Sequence, residues 1–294
     1  MEHNKNENLS ILESFFRVLP SLVNYHAPAS DIYTFLKMVA REQAEDLFSE
    51  EEAKSRPLAP FGTLVFPYHK MGETVDSINL FDLDELIIFS FYWVNRNRYK
   101  KVLDLGANLG LHSIIMDKCG FNVRSYEPDP WHFEILQSNL GLNHCKNVQP
   151  YNAGISSKSG TMDFIRIKGN TTSSHLAGSK SSLYGETELF PVKVESIQSQ
   201  IGWADLIKMD VEGHEKEVLL ATNRDHWKNA DALVEIQNDE NAAAIYQHFS
   251  AIGVNLFSQK INWIKVNGIE DMPTSYHDGT LFITCKGSMA WKEN

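Results

Sequence analysis

The stretch VLDLGANLGLHSII, residues 102–115, constrains this chain more than any other. An apolar run carrying one acid, Asp104, enters a turn with glycines at 106 and 110, and apolar residues then resume at helical spacing. The pattern predicts a strand, a tight turn and a helix. In a parallel sheet, ligands sit outside the carboxyl ends of the strands, which is where this turn falls. Gly106 and Gly110 would let the backbone approach a ligand closely. The helix from Leu111 would offer free N–H groups and the positive end of its dipole.

From Val102 onward, strand and helix patterns alternate. KVLDLG precedes the helix LHSIIMDKC, NVRSYEP precedes WHFEILQSNLGLN, DLIKMDV precedes HEKEVLLAT, and DALVEIQ precedes NAAAIYQHFSAIG. VQPYNAGIS reads as one strand leading to a hairpin at GTMDFIRI, and NWIKVNG with GTLFITCKG reads as a closing strand pair. This alternation predicts an α/β fold with a mostly parallel sheet covered on both faces and antiparallel strands at one edge. Residues 9–54 read as helical, RPLAP breaks them, and DLDELIIFSFYWV reads as a further helix. The 294 residues suit one main core with an appendage. We therefore expect a mainly helical N-terminal cap over 1–80 and a ligand-binding domain over 81–294. The segment Lys168–Phe190, rich in Gly, Ser and Thr, reads either as a linker or as a lid that orders over the cleft.

The dinucleotide fingerprint G-x-G-x-x-G would need glycines at 106, 108 and 111, which are Gly, Asn and Leu. No G-K-[ST] follows, so the phosphate-cradling loop is absent too. A nucleoside site without a phosphate cradle remains. Glu127, at the carboxyl end of RSYEP, can accept hydrogen bonds from both ribose hydroxyls, or be a surface acid before a proline turn.

VLDLGANLGLHSIIM, SYEPDP, the helix ending NLGLN, NAGISSKSGTMDF and IKMDVEGHEKEVL together resemble the FkbM-type S-adenosylmethionine-dependent methyltransferases, over roughly residues 80–285. The resemblance implies a seven-stranded Rossmann-like methyltransferase sheet with helices on both faces and its final strand antiparallel. It also implies S-adenosyl-L-methionine as methyl donor, and O-methylation of a sugar, polysaccharide or glycosylated natural-product hydroxyl. Carried over by position, Asp104, Gly106, Ala107, Asn108 and Gly110 would flank the methionine portion, with His112 close by. Glu127 would hold the ribose, and Asn152 and Ala153 would lie near the adenine. Asp210, Glu212 and Glu215 belong to the second signature, where a position often small in the family is His214.

Asp210 and Glu212 alternate at a strand end and so point the same way. They can bind a divalent cation through oxygen, serve as base and orienter, or receive backbone N–H groups and cap a helix. Lys208 on the same face would neutralise one of them if buried. His214 reads as a cleft group or a surface substitution, and His175, in the polar segment, is the other candidate base.

The charge of −11 argues against a nucleic-acid partner. Three unpaired cysteines suggest a reducing compartment. The longest apolar run, LIIFSFYWV, is half of what a bilayer span needs. We read the protein as cytoplasmic, acting on a small-molecule or glycan acceptor. Two rivals stand beside a methyltransferase: a nicotinamide-dependent oxidoreductase on a similar sheet, and a non-catalytic nucleoside-binding module.

Overall fold

A computed structural model describes residues 10–73, 75–179 and 185–291. The chain opens with α1 (Ile11–Val18), fixed by a capping box in which Ser10 and Glu13 exchange hydrogen bonds. Then come α2 (Asp31–Phe48) and a hairpin of β1 (Ser55–Pro57) and β2 (Thr63–Val65). Helix α3 (Leu83–Val94) starts on Asp82, whose carboxylate accepts the Leu83 N–H at 2.7 Å. It is apolar around most of its circumference because it lies between the N-terminal helices and the main sheet.

The alternating region follows: β3 (Lys101–Leu105), α4 (Leu111–Lys118), β4 (Asn122–Tyr126), α5 (Pro130–Leu142), β5 (Val148–Tyr151), β6 (Gly154–Ser156), β7 (Gly160–Ile167), β8 (His175–Leu176) and β9 (Thr187–Ser196). It continues through α6 (Ile197–Gln200), β10 (Leu206–Met209), α7 (Glu215–Leu220), β11 (Asp231–Glu235), α8 (Asp239–Ile252), β12 (Asn255–Ser258), β13 (Ile264–Lys265) and β14 (Thr280–Thr284). The main sheet has the order β13-β12-β14-β11-β10-β3-β4-β5. Strands β5, β4, β3, β10 and β11 run parallel, and β14 is antiparallel to both neighbours.

The expected count of seven strands is corrected to eight. The addition is the two-residue β13, which pairs with β12 at the edge after Asn262 and Trp263, both at positive φ, turn the chain back. The expected closing pair is corrected as well: β14 lies between β11 and β12, and Ile264–Lys265 does not touch it. VQPYNAGIS is two strands, because Asn152 and Ala153 turn the chain from the main sheet into a second one of order β6-β9-β7-β8.

Alternation along β3 sorts the core. Val102 faces α3 and the N-terminal helices, whereas Leu103 and Leu105 face α7 and α8. The hydrophobic cluster under α3 is continuous from Leu12 and Phe48 to Val102 and Phe282, across the expected boundary at residue 80. That boundary falls inside the 3₁₀ turn Ser77–Phe81. No helix among the described residues is long and apolar enough to cross a membrane.

Candidate active site

A cavity of about 510 Å³ opens at the carboxyl ends of β3, β4, β10 and β11. Its sheet wall carries Gly106, Asn108, Glu127, Asp210, Glu212 and Glu235. The facing wall comes from the N-terminal third, with Lys37 of α2 and Asp82, Asp84 and Glu85 at the start of α3. A third side is residues 170–176.

In the turn after β3, Gly106 (φ 77°), Asn108 (φ 52°) and Gly110 (φ 88°) are left-handed. The Gly106 and Ala107 N–H groups both donate to the Tyr126 carbonyl at 3.0 Å, tying the turn to β4. A Cβ on Gly106 would lie 1.8 Å from the Asp210 carbonyl oxygen, so this glycine is required by the backbone after β10. At Gly110 the nearest obstacle is Leu136 of α5 at 3.0 Å. Both glycines are required by chain-to-chain contact, and Gly106 also lines the cavity.

The Asn108 N–H donates to Glu127 Oε2 at 2.8 Å, and the Asp129 N–H donates to Oε1 at 2.8 Å. Glu127 is 5% exposed, and burial pushes its carboxyl up to about 8. Asp129 is itself clamped by Arg166 of β7, at 2.5 and 2.8 Å. The second sheet thus steadies the Glu127 turn, a role the sequence did not suggest. Asn152 donates to the carbonyls of Glu127 and Pro128 at 2.9 and 3.2 Å; it orders the same turn from outside the cavity. Ala153 is in the core under the sheet.

Several expected residues lie off the cavity wall. Asp104 is fully buried, with Oδ2 accepting the Ser113 hydroxyl at 2.5 Å. His112 faces α3, where Nε2 meets Glu85 at 2.7 Å and Nδ1 meets the Tyr92 hydroxyl at 3.0 Å. His214 is 3% exposed and bridges the hydroxyls of Ser156 and Ser179, both at 2.9 Å. This overturns the surface reading, and His214 does not line the cavity. Glu215 is a clasp: its carboxylate accepts the Gly213 N–H at 2.9 Å and the Asn241 amide at 2.8 Å, and burial raises it to about 7.

Asp210, Glu212 and His175 do line the cavity. Lys208 is buried, with Nζ 3.6 Å from Asp210 Oδ2, as expected of a neutralising partner. Asp210 Oδ1 and Asn108 Oδ1 are buried without hydrogen-bond partners. Glu212 is held at φ 55° in the turn after β10. His175 Nδ1 meets the Ser173 carbonyl at 2.9 Å. Among the described residues, no group of three His, Cys, Asp or Glu side chains is arranged to hold a metal ion.

Most of the expected lid is folded. Thr171–Ser173 form a 3₁₀ turn, β8 pairs with β7, and β9 begins at Thr187. The Thr171 N–H donates to the Met71 carbonyl and the Glu73 N–H to the Gly169 carbonyl, so this segment is fastened to the N-terminal third. Residues 180–184 of the expected lid lie outside the described residues. Sequence reasoning missed Glu235 and Gln237. Their signal was VEIQ, an acid at the carboxyl end of a strand just as in MDVEG.

The strand order, the ligand cavity at the strand ends and the two acidic turns define a methyltransferase-type α/β domain. Residues 104–265, more than half of the chain, match the methyltransferase FkbM domain, and the chain belongs to that family. It is 29% identical to methyltransferase sdnD of Sordaria araneosa, with 43% of this chain and 62% of that protein covered. It is 33% identical to hexuronic acid methyltransferase AglP of Haloferax volcanii, over 40% of this chain and 47% of that protein. The chain thus spans between about half and three-fifths of these relatives' lengths. Among solved structures, an O-methyltransferase from Bacillus cereus aligns at 10% identity and TM-score 0.37, covering 66% of this chain and 78% of that one.

Proposed function

We propose that the protein is an S-adenosylmethionine-dependent O-methyltransferase acting on a hydroxyl of a sugar, polysaccharide or glycosylated natural product. The observation that carries this reading is the meeting of Asn108, Glu127 and Asp210, from three strand ends, in one cavity within a family-matched domain. Each Glu127 oxygen accepts one backbone N–H and keeps lone-pair capacity, which suits a ribose diol. The unpartnered Asn108 Oδ1 is a further acceptor for donor N–H or O–H groups. The bound donor supplies an electrophilic methyl group on a sulfonium.

A neutral alcohol must lose its proton as it is methylated. Asp210 is the base in this reading: its Oδ1 is unpartnered, and Lys208 Nζ lies 3.6 Å from its Oδ2. His175 lines the same cavity and is the alternative base. The buried carboxyls and the helical wall also position the acceptor, and orientation alone lowers such a barrier. The sugar class is supported by the hexuronic acid acceptor in the name of one relative. The test is release of S-adenosylhomocysteine with a panel of glycosides, uronates and free sugars. No release with any of them, despite donor binding, would overturn the acceptor class.

A further inference from the structure

Glu235 is a cavity carboxyl to which the proposed chemistry gives no part. The β10–β11 register pairs Met209 with Val234, which brings Asp210 and Glu235 side by side in the next row. Gly106 ends the same row on β3, and all three line the cavity. Two rows back, on the same face, lie Asp104, Lys208 and Leu233.

Lys208 is 9% exposed, and its Nζ also donates to the Gly106 carbonyl at 3.3 Å. Asp104 and Asp210 surround it from the sheet, Glu235 from β11 and Glu85 from α3. Glu212 faces Glu235 from the turn after β10. The Gln237 amide donates to Glu235 Oε1 at 2.7 Å, while Thr280, opposite Glu235 on β14, adds no charge. His112, on α4, is paired with Glu85. Lys208 therefore stands within a group of five carboxyls, and Lys37, on the facing wall of the cavity, is paired with Asp82 at 2.8 Å. Burial, then the charges of Asp210, Glu212 and Glu85, holds the Glu235 carboxyl well above the usual carboxylate range.

We propose that Glu235 releases its proton when the sulfonium donor enters the cavity and regains one when the sulfur becomes neutral, and so discriminates donor from product. This rests on the methyltransferase reading. The step balances. The acceptor O–H bond breaks and the C–O bond forms, while the C–S bond breaks with its electron pair left on sulfur. The hydroxyl proton passes to Asp210 and on to Glu235. The carboxyl is neutral again as the positive charge disappears.

S-adenosylmethionine and S-adenosylhomocysteine share the same amino-acid and nucleoside parts and differ in the methyl and its charge. Titration calorimetry of the full chain near neutral pH, in phosphate and in Tris, counts the protons exchanged. S-adenosylmethionine is expected to release about one proton, and S-adenosylhomocysteine far less. Glu235→Gln should abolish that release and lower the preference for S-adenosylmethionine over S-adenosylhomocysteine by about tenfold. Glu235→Asp should restore release. Equal proton numbers for the two ligands, or release that persists in Glu235→Gln, would overturn the proposal. If Glu235→Gln does not fold, the wild-type comparison decides. Failure of the wild-type chain to bind S-adenosylmethionine at all would sink the methyl-donor reading and this inference with it.

Discussion

At the scale of the residue, the site divides into groups that face the ligand and groups that hold those groups still. Asp210 lines the cavity and is the general base of the proposed reading, a role that contributes ~10²–10⁴-fold. Asp210→Asn is therefore expected to lower turnover at least about a hundredfold while donor binding survives. Near-normal turnover would make Asp210 a framework residue and pass the role to His175. Glu127 is of both kinds, since it faces the cavity and also accepts two backbone N–H groups. Glu127→Ala should weaken donor binding by ~1.5–3 kcal/mol, and calorimetry showing unchanged affinity would remove it from the ribose site. The sequence pointed to both residues because each ends a strand after an apolar run. It set Asp104 beside the donor and Asp210 among the candidate bases, and only the fold shows that Asp104 is buried against Ser113. His112 and His214 misled for the same reason, because a signature position fixes the spacing but not the neighbour that claims the side chain.

At the scale of the element, the contact between β3 and the turn after β10 makes the site. It is a backbone-to-backbone approach, and only glycine fits on the β3 side. Gly106→Ala would put a methyl 1.8 Å from the Asp210 carbonyl oxygen at a left-handed φ. We expect a loss of ~3 kcal/mol or more, or no folded protein, by urea denaturation. Gly110→Ala meets the buried Leu136 side chain at 3.0 Å, a far looser approach, and adds the left-handed penalty of ~1–2 kcal/mol. Equal losses at the two positions would refute this contrast. Strands and helices from Val102 to Ile252 were legible because their periodicities are strong. The edge was less so: β12, four residues starting just past the Gly253 cap, was not read, and β13, read within NWIKVNG, pairs with β12 instead of β14. The second sheet was half legible, since β7 announces itself while the glycine- and serine-rich stretch before β9 disguises β8.

At the scale of the whole molecule, buried ionisable groups set the response to pH. Asp84, Glu215 and Glu127 titrate near 6, 7 and 8 in the fold, against ordinary values of 3.8 and 4.5. Between each pair of values the folded chain binds more protons than the unfolded one, so stability falls as pH rises. His26 and His132, pushed down to about 4 by burial, act in the opposite sense and cost stability as pH drops below 6.5. The two trends oppose each other in acid and leave the carboxyls in control from 6.5 to 8. The melting temperature should therefore fall by about 3 °C or more over that interval; a flat or rising trend would contradict these assignments. The two walls of the cavity come from different stretches of the chain. The strand-end wall falls inside residues 104–265, the stretch held in common with the family, and the wall of Lys37, Asp82, Asp84 and Glu85 falls outside it. The pocket thus joins two stretches of chain far apart in sequence, and a change in the opening hundred residues can reshape one side of it without touching a residue of the sheet.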